Sequence, residues 1–161
     1  MAASTNKKVI VLRFDREALC GFVNPQTFLR SDGVELLSPS GSILTIQYEE
    51  IKYLCFVREF QTGKLVIRQA FHTRPKAAGL WVRMEFRDGD TLEGLLPNNL
   101  LLVEPTGFTV VPPDASGNAQ KVFAPRAALE GIQVLGVVGS PLRAARRADR
   151  TDQKRQIGLF E

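Results

Sequence analysis

The chain has 161 residues, of which 44% are hydrophobic and 24% charged, enough for one medium domain or two small ones. No apolar run reaches the length of a membrane span, and Met1–Lys8 holds no apolar signal core, so neither a membrane protein nor a secreted one is expected. The net charge of +4 is unevenly placed: the excess lies in 58–79 and in 139–161, which argues against a strongly basic folded surface for phosphate backbones.

An internal repeat organises the chain. Ile10, Leu12 and Phe14 alternate with Val11 and Arg13, and Leu19-Cys20-Gly21 follows. In the second half Val82, Met84 and Phe86 alternate with Arg83 and Glu85, and Leu92-Glu93-Gly94 follows. A period of two is that of a strand with one buried face. Asp88-Gly89-Asp90 signals a hairpin turn; Asp15-Arg16-Glu17 stands there in the first half, in a stretch read as one residue shorter. Gly33–Pro39 parallels Gly107–Pro113, each a strand stopped by proline. Ile43–Ile46 then parallels Val122–Ala124, and Tyr48–Leu54 parallels Arg126–Ile132. Each half predicts five short strands with one helical turn before the fifth.

Five short strands bury more by curling than by lying open. The expected fold is therefore all-β: two tandem small five-stranded barrels at 8–57 and 80–138 that pack on each other, read either as a duplicated scaffold or, more sharply, as a pseudo-symmetric binding platform with a groove between the barrels. A connector, 58–79, joins them, with a hairpin extension expected at Leu65-Val66-Ile67. A basic tail, 139–161, is expected to be disordered because its apolar residues are too few to dock. Cys20 and Cys55 sit far apart in apolar runs, which suits reduced thiols in a cytoplasmic protein.

Catalytic chemistry is not assembled. His72 stands alone in the connector, no Cys/His cluster has metal-ligand spacing, and Glu49-Glu50 reads as a solvated turn. No enzyme, metal or cofactor is expected.

The order of elements resembles the SH3-like and Sm-like small barrels. The stretches Ile51–Phe60 (IKYLCFVREF) and Val82–Gly94 (VRMEFRDGDTLEG) resemble a little-characterised bacterial family of tandem small barrels. The resemblance spans 8–138 and rests on glycines and apolar positions, so it implies fold more than activity. Likeness to Sm-like proteins implies RNA binding, with Asn98 or Asn99 meeting a base and Arg126 stacking on one. The full Sm pocket signature is absent from both halves. The spacing of Arg143, Arg146 and Arg147 resembles that of cyclic-dinucleotide-binding PilZ domains, but here the arginines follow both barrels and the completing motif is missing. Together with Arg150, Lys154 and Arg155 they offer salt-sensitive, sequence-blind attraction to nucleic acid.

The terminal run Gln156-Ile157-Gly158-Leu159-Phe160 resembles the peptide by which bacterial replication and repair proteins dock on the polymerase sliding clamp. That resemblance implies that Gln156 hydrogen-bonds a polar subsite, Ile157 packs on the rim, and Leu159 and Phe160 fill an apolar pocket. The other readings are that Ile157, Leu159 and Phe160 fold back onto an apolar edge or groove of one barrel, or that another partner takes them. The chain thus reads as a non-enzymatic adaptor that its tail brings to the clamp, with an Sm-like nucleic-acid module as the competing reading.

Overall fold

A computed structural model describes residues 5–60, 67–115 and 117–139. The expected strand at Leu65-Val66-Ile67 falls largely outside these residues, and the tail beyond Gly139 lies wholly outside them. No helix among the described residues is long and apolar enough to cross a membrane.

The chain is all-β. The first half supplies β1 (Lys7–Arg13), β2 (Ala18–Val23), β3 (Gly33–Leu37), β4 (Ile43–Gln47), a 3₁₀ turn at Tyr48–Glu50, and β5 (Ile51–Val57). The second supplies β6 (Gly79–Phe86), β7 (Thr91–Leu96), a 3₁₀ turn at Leu100–Leu102, β8 (Gly107–Val110), β9 (Ala119–Pro125), a 3₁₀ turn at Arg126–Ala128, and β10 (Leu129–Val138). The hydrogen-bonded sheets are open rather than closed. Seven strands run in the order β4-β3-β2-β1-β5-β9-β8, and three in the order β10-β6-β7. An antiparallel bridge between Leu95 and Val111, with both N–H···O distances at 2.9 Å, joins β7 to the end of β8. Through that bridge the second unit reads β9-β8-β7-β6-β10, the spatial order of β4-β3-β2-β1-β5.

The repeat extends to single hydrogen bonds. Arg13 N–H donates to Glu17 O and Arg16 N–H to Arg13 O; Phe86 N–H donates to Asp90 O and Gly89 N–H to Phe86 O. The two hairpins therefore have equal length, which corrects the shorter first hairpin read from sequence. Gly89 has φ of 92° and Arg16, in the same place, 69°, so an arginine holds the left-handed turn that glycine takes easily. The pairing also moves the alignment by one residue. Val9 faces Gly21 and Val82 faces Gly94, so Val9 and Val11, not Ile10 and Leu12, match Val82 and Met84. Crowding agrees with this. A Cβ on Gly21 would stand 2.7 Å from Leu36, and one on Gly94 2.6 Å from Val110. A Cβ on Gly33 would stand 2.2 Å from Ile46 O, and one on Gly107 2.3 Å from Ala124 O.

Two cores result, and each borrows from the other unit. Val9, Val11, Val23, Phe28, Val34, Leu36, Ile51 and Leu54 enclose Phe123 of β9. Val82, Met84, Phe86, Leu92, Val110 and Val122 enclose Ile10, Cys55 and Val57 of the first half. The exchange follows from antiparallel pairing of β5 with β9, where Leu54 faces Phe123 and Cys55 faces Val122. Side chains alternate across a strand, so one pair enters each core.

Phe123 is fully buried in the core of the other half. Phe123→Ala is expected to lower stability by about 3–5 kcal/mol, through lost transfer energy and a residual cavity. Urea unfolding followed by far-UV circular dichroism checks this. A single transition shifted as a whole is expected, because the residue belongs to both units.

Candidate interaction groove

Most of the second core is closed, but one end is open. An apolar groove of about 310 Å³ lies there, lined by Leu80, Val82, Leu96, Phe108, Ile132 and Val134, with Pro97, Leu100, Val103 and Arg126 also bordering it. In the first unit the exposed Lys7 stands in place of Leu80, and Val9, Val23, Val34, Tyr48, Leu54 and Phe56 in place of Val82, Leu96, Phe108, Arg126, Ile132 and Val134; there the space is filled. Phe28 sits edge-on to Phe56 at 5.7 Å and to Phe123 at 6.0 Å.

The difference has two causes. Asn24 and Asn99 open matching turns, each accepting a backbone N–H two residues on, from Gln26 and Leu101 respectively, at 3.0 Å. Counting on from these turns, Val103 stands where the first unit has Phe28. The second cause is that, among the described residues, β10 pairs only with β6, so no described strand brings a counterpart of Phe123. Beside the opening, Leu100, Leu101 and Leu102 are 80%, 93% and 63% exposed. Three consecutive exposed leucines make a contiguous apolar patch of the kind that marks an interaction site. Sequence reasoning missed them. The signal was present, since the first unit has the polar Gln26-Thr27 in this turn.

The candidate nucleic-acid residues gather at this rim. Asn98 and Asn99 lie between Pro97 and Leu100 and are exposed, and Arg126 borders the groove. Arg126 donates Nε–H to Pro105 O at 2.8 Å, and its guanidinium lies 4.9 Å from the Phe108 ring centre. Asn99 Oδ1 is the turn's own cap. Two of the three are thus engaged in holding the rim. The other candidates, Arg143, Arg146, Arg147, Arg150, Lys154 and Arg155, and the peptide residues Gln156, Ile157, Leu159 and Phe160, lie outside the described residues.

Elsewhere side chains carry structural work. Glu93 is buried, accepts Trp81 Nε1–H at 2.9 Å and faces Arg83 at 3.7 Å. The connector crosses this face, with Gln69 O accepting Glu93 N–H at 2.7 Å and Phe71 edge-on to Trp81 at 6.2 Å. His72 is exposed. Cys20 and Cys55 are free thiols, and burial pushes the Cys55 thiol up from its ordinary value. No group of three or more metal-ligating side chains occurs among the described residues.

The seam between units is clasped by charge. Lys52 of β5 is 8% exposed and reaches Asp88 Oδ2 at 2.6 Å and Asp90 Oδ2, both in the β6–β7 hairpin. Its ammonium lies 5.5 Å from the Phe86 ring centre. Burial works to lower the Lys52 pKa, but the hydrogen bonds it donates to Asp88 and Asp90 outweigh it and the net shift is upward. Burial likewise works to raise Asp88, and the Lys52 hydrogen bond outweighs it, so Asp88 lies below its ordinary value. Beside the clasp, Arg87 stacks on Phe14 at 3.9 Å and donates to Glu49 O at 2.5 Å.

A family model described as a family of unknown function, DUF6982, matches residues 5–136. The chain belongs to that family. No curated protein and no solved structure matches it.

The clasp sets a pH window. Asp88 is depressed, so its contribution is present above the ordinary carboxylate value of 3.8 and is lost as pH falls through the depressed one. Lys52 is raised, so its contribution is present below the ordinary lysine value of 10.5 and is lost as pH rises through the raised one. Lys52→Met is expected to cost about 1 kcal/mol near neutrality, a low figure because solvent reaches both carboxylates. Urea midpoints of wild type and variant measured across pH are expected to converge at the acid end.

Proposed function

We propose that the protein is a non-enzymatic adaptor of two small, curled, SH3-like or Sm-like β units. In this reading the second unit receives an apolar polypeptide segment in its groove, and the C-terminal peptide brings the protein to the polymerase sliding clamp. The observation that carries the binding half is the groove itself, open where the first unit is filled by an aromatic side chain from another strand. An extended segment laid along the free edge of β10 gains backbone hydrogen bonds from the edge and side-chain burial from the groove, the two components of strand addition. The repeated strand order and the two separate cores support the small-barrel reading.

The recruitment half is supported by sequence alone, through Gln156-Ile157-Gly158-Leu159-Phe160 behind a basic stretch. The nucleic-acid reading has one observation in its favour, the gathering of Asn98, Asn99 and Arg126 at one rim. Against it stands the engagement of Arg126 with Phe108 and Pro105.

Titration of the full chain with the bacterial sliding clamp, read by interferometry, is expected to saturate in the micromolar range, about −8 kcal/mol. The double variant Leu159→Ala/Phe160→Ala is expected to lose this binding. A wild-type chain that fails to bind removes the recruitment half.

The groove has its own test. An apolar dye such as bis-ANS is expected to bind the folded chain, with its fluorescence reduced several-fold by Leu100→Glu, at the groove's exposed border, at an unchanged urea midpoint. A dye that ignores the folded chain removes the groove reading. Single-stranded RNA retained in filter binding by the wild type and lost by Arg126→Ala would favour the nucleic-acid module instead.

A further inference from the structure

The free edges of the molecule match each other through its own repeat. Within the chain, β5 of the first unit pairs with β9 of the second. The repeat makes β10 the counterpart of β5, and β4 the counterpart of β9. Leu129 faces Phe86 as Ile51 faces Arg13, and Ile46 faces Val34 as Ala124 faces Phe108. Among the described residues both counterparts are sheet ends: β4 pairs only with β3, and β10 only with β6. Among the described residues, the junction that joins the two units is thus half-present at each extremity.

We infer that copies of this chain join head to tail, the β4 edge of one adding to the β10 edge of the next and repeating between molecules the β5–β9 junction found within one. This names a second copy as the occupant of the groove and rests on the groove reading above.

The register follows from the internal junction. Phe56 faces Lys121 and Leu54 faces Phe123. Between copies, Val134 therefore faces Ile43, and Ile132 faces Thr45. Val134 is 62% exposed and Ile43 68%, so the two most exposed apolar side chains of the two edges fall opposite each other. Soluble proteins commonly guard such edges with lysine or proline. Among Ile43–Gln47 there is no charged residue or proline, and among Leu129–Val138 the only charged residue is Glu130. Thr45 is smaller than Phe123 and fills less of the groove, so joining between copies is weaker than the internal junction and reversible. The two surfaces differ, so the contact is heterologous and propagates into a ring or a filament rather than stopping at a two-fold dimer.

Sedimentation velocity of the full chain over a concentration series tests this. Wild type is expected to rise from 17.8 kDa to multiples of that mass. Val134→Asp and Ile43→Asp are each expected to remain at 17.8 kDa at every concentration. Both residues are exposed, and unchanged urea midpoints confirm that both variants fold.

The decisive arm mixes the two variants. Val134→Asp keeps an intact β4 edge and Ile43→Asp an intact β10 edge, so the mixture is expected to give a one-to-one heterodimer that grows no further. Wild type that stays monomeric while dye still enters the groove overturns the assembly and leaves the groove reading standing; no dye binding removes both. Oligomers unaffected by either substitution, or variants that do not complement, also overturn it.

Discussion

The pairing of β5 with β9 is the contact on which the rest of the molecule depends. Where they pair at Leu54–Cys55 and Val122–Phe123 both strands are buried on both faces, so each core includes residues of the other half. Leu54 and Phe123 complete one interior, and Cys55 and Val122 the other. The Lys52 clasp and the stacking of Arg87 on Phe14 also link the two halves. Crowded glycines at Gly33 and Gly107 let the third and fourth strands of each unit approach closely, and in the second unit the fourth strand, β9, is the one at the seam.

A duplication joined in this way is unavoidably asymmetric. One unit has its open end covered by the other, and the second unit's corresponding end has nothing within the described residues to cover it. The sequence has adjusted to the covered position: Phe28, Phe56 and Phe123 form an aromatic cluster there. At the open position Val103 and Val134 replace the first two, and Leu100–Leu102 project outward. Apolar side chains kept at a solvent-facing end are what a binding surface requires, whereas a surface with no partner gains from polar ones.

Much of this was legible from the sequence, and the parts that were not have physical reasons. Ten strands and a short turn before each fifth strand follow from period-two patterning, prolines and paired glycines. The phase of the repeat was off by one because β1 is buried on both faces: Ile10 is as enclosed as Val9 and Val11, so alternation carries no phase there. The hairpin at Arg16 looked different from that at Gly89 only because arginine stands where glycine is usual. The strand exchange left no local mark, since Phe123 and Leu54 read as ordinary core residues whichever core they enter. The groove was hidden for a related reason: consecutive leucines read as interior, and only the geometry shows the Leu100–Leu102 turn facing out.

The burial of Phe123 in the first unit also has a consequence for how the protein is made. Residues leave the ribosome in order, so β1 to β5 emerge well before β9. Until residue 123 follows, the first half carries an open apolar end much like the one the second half keeps in the finished molecule. Its sheet can form early, but its interior closes only after Phe123 has emerged. The same kind of surface is thus exposed twice in succession, first in passing at the first unit and then, once Ile132 and Val134 have followed, at the second.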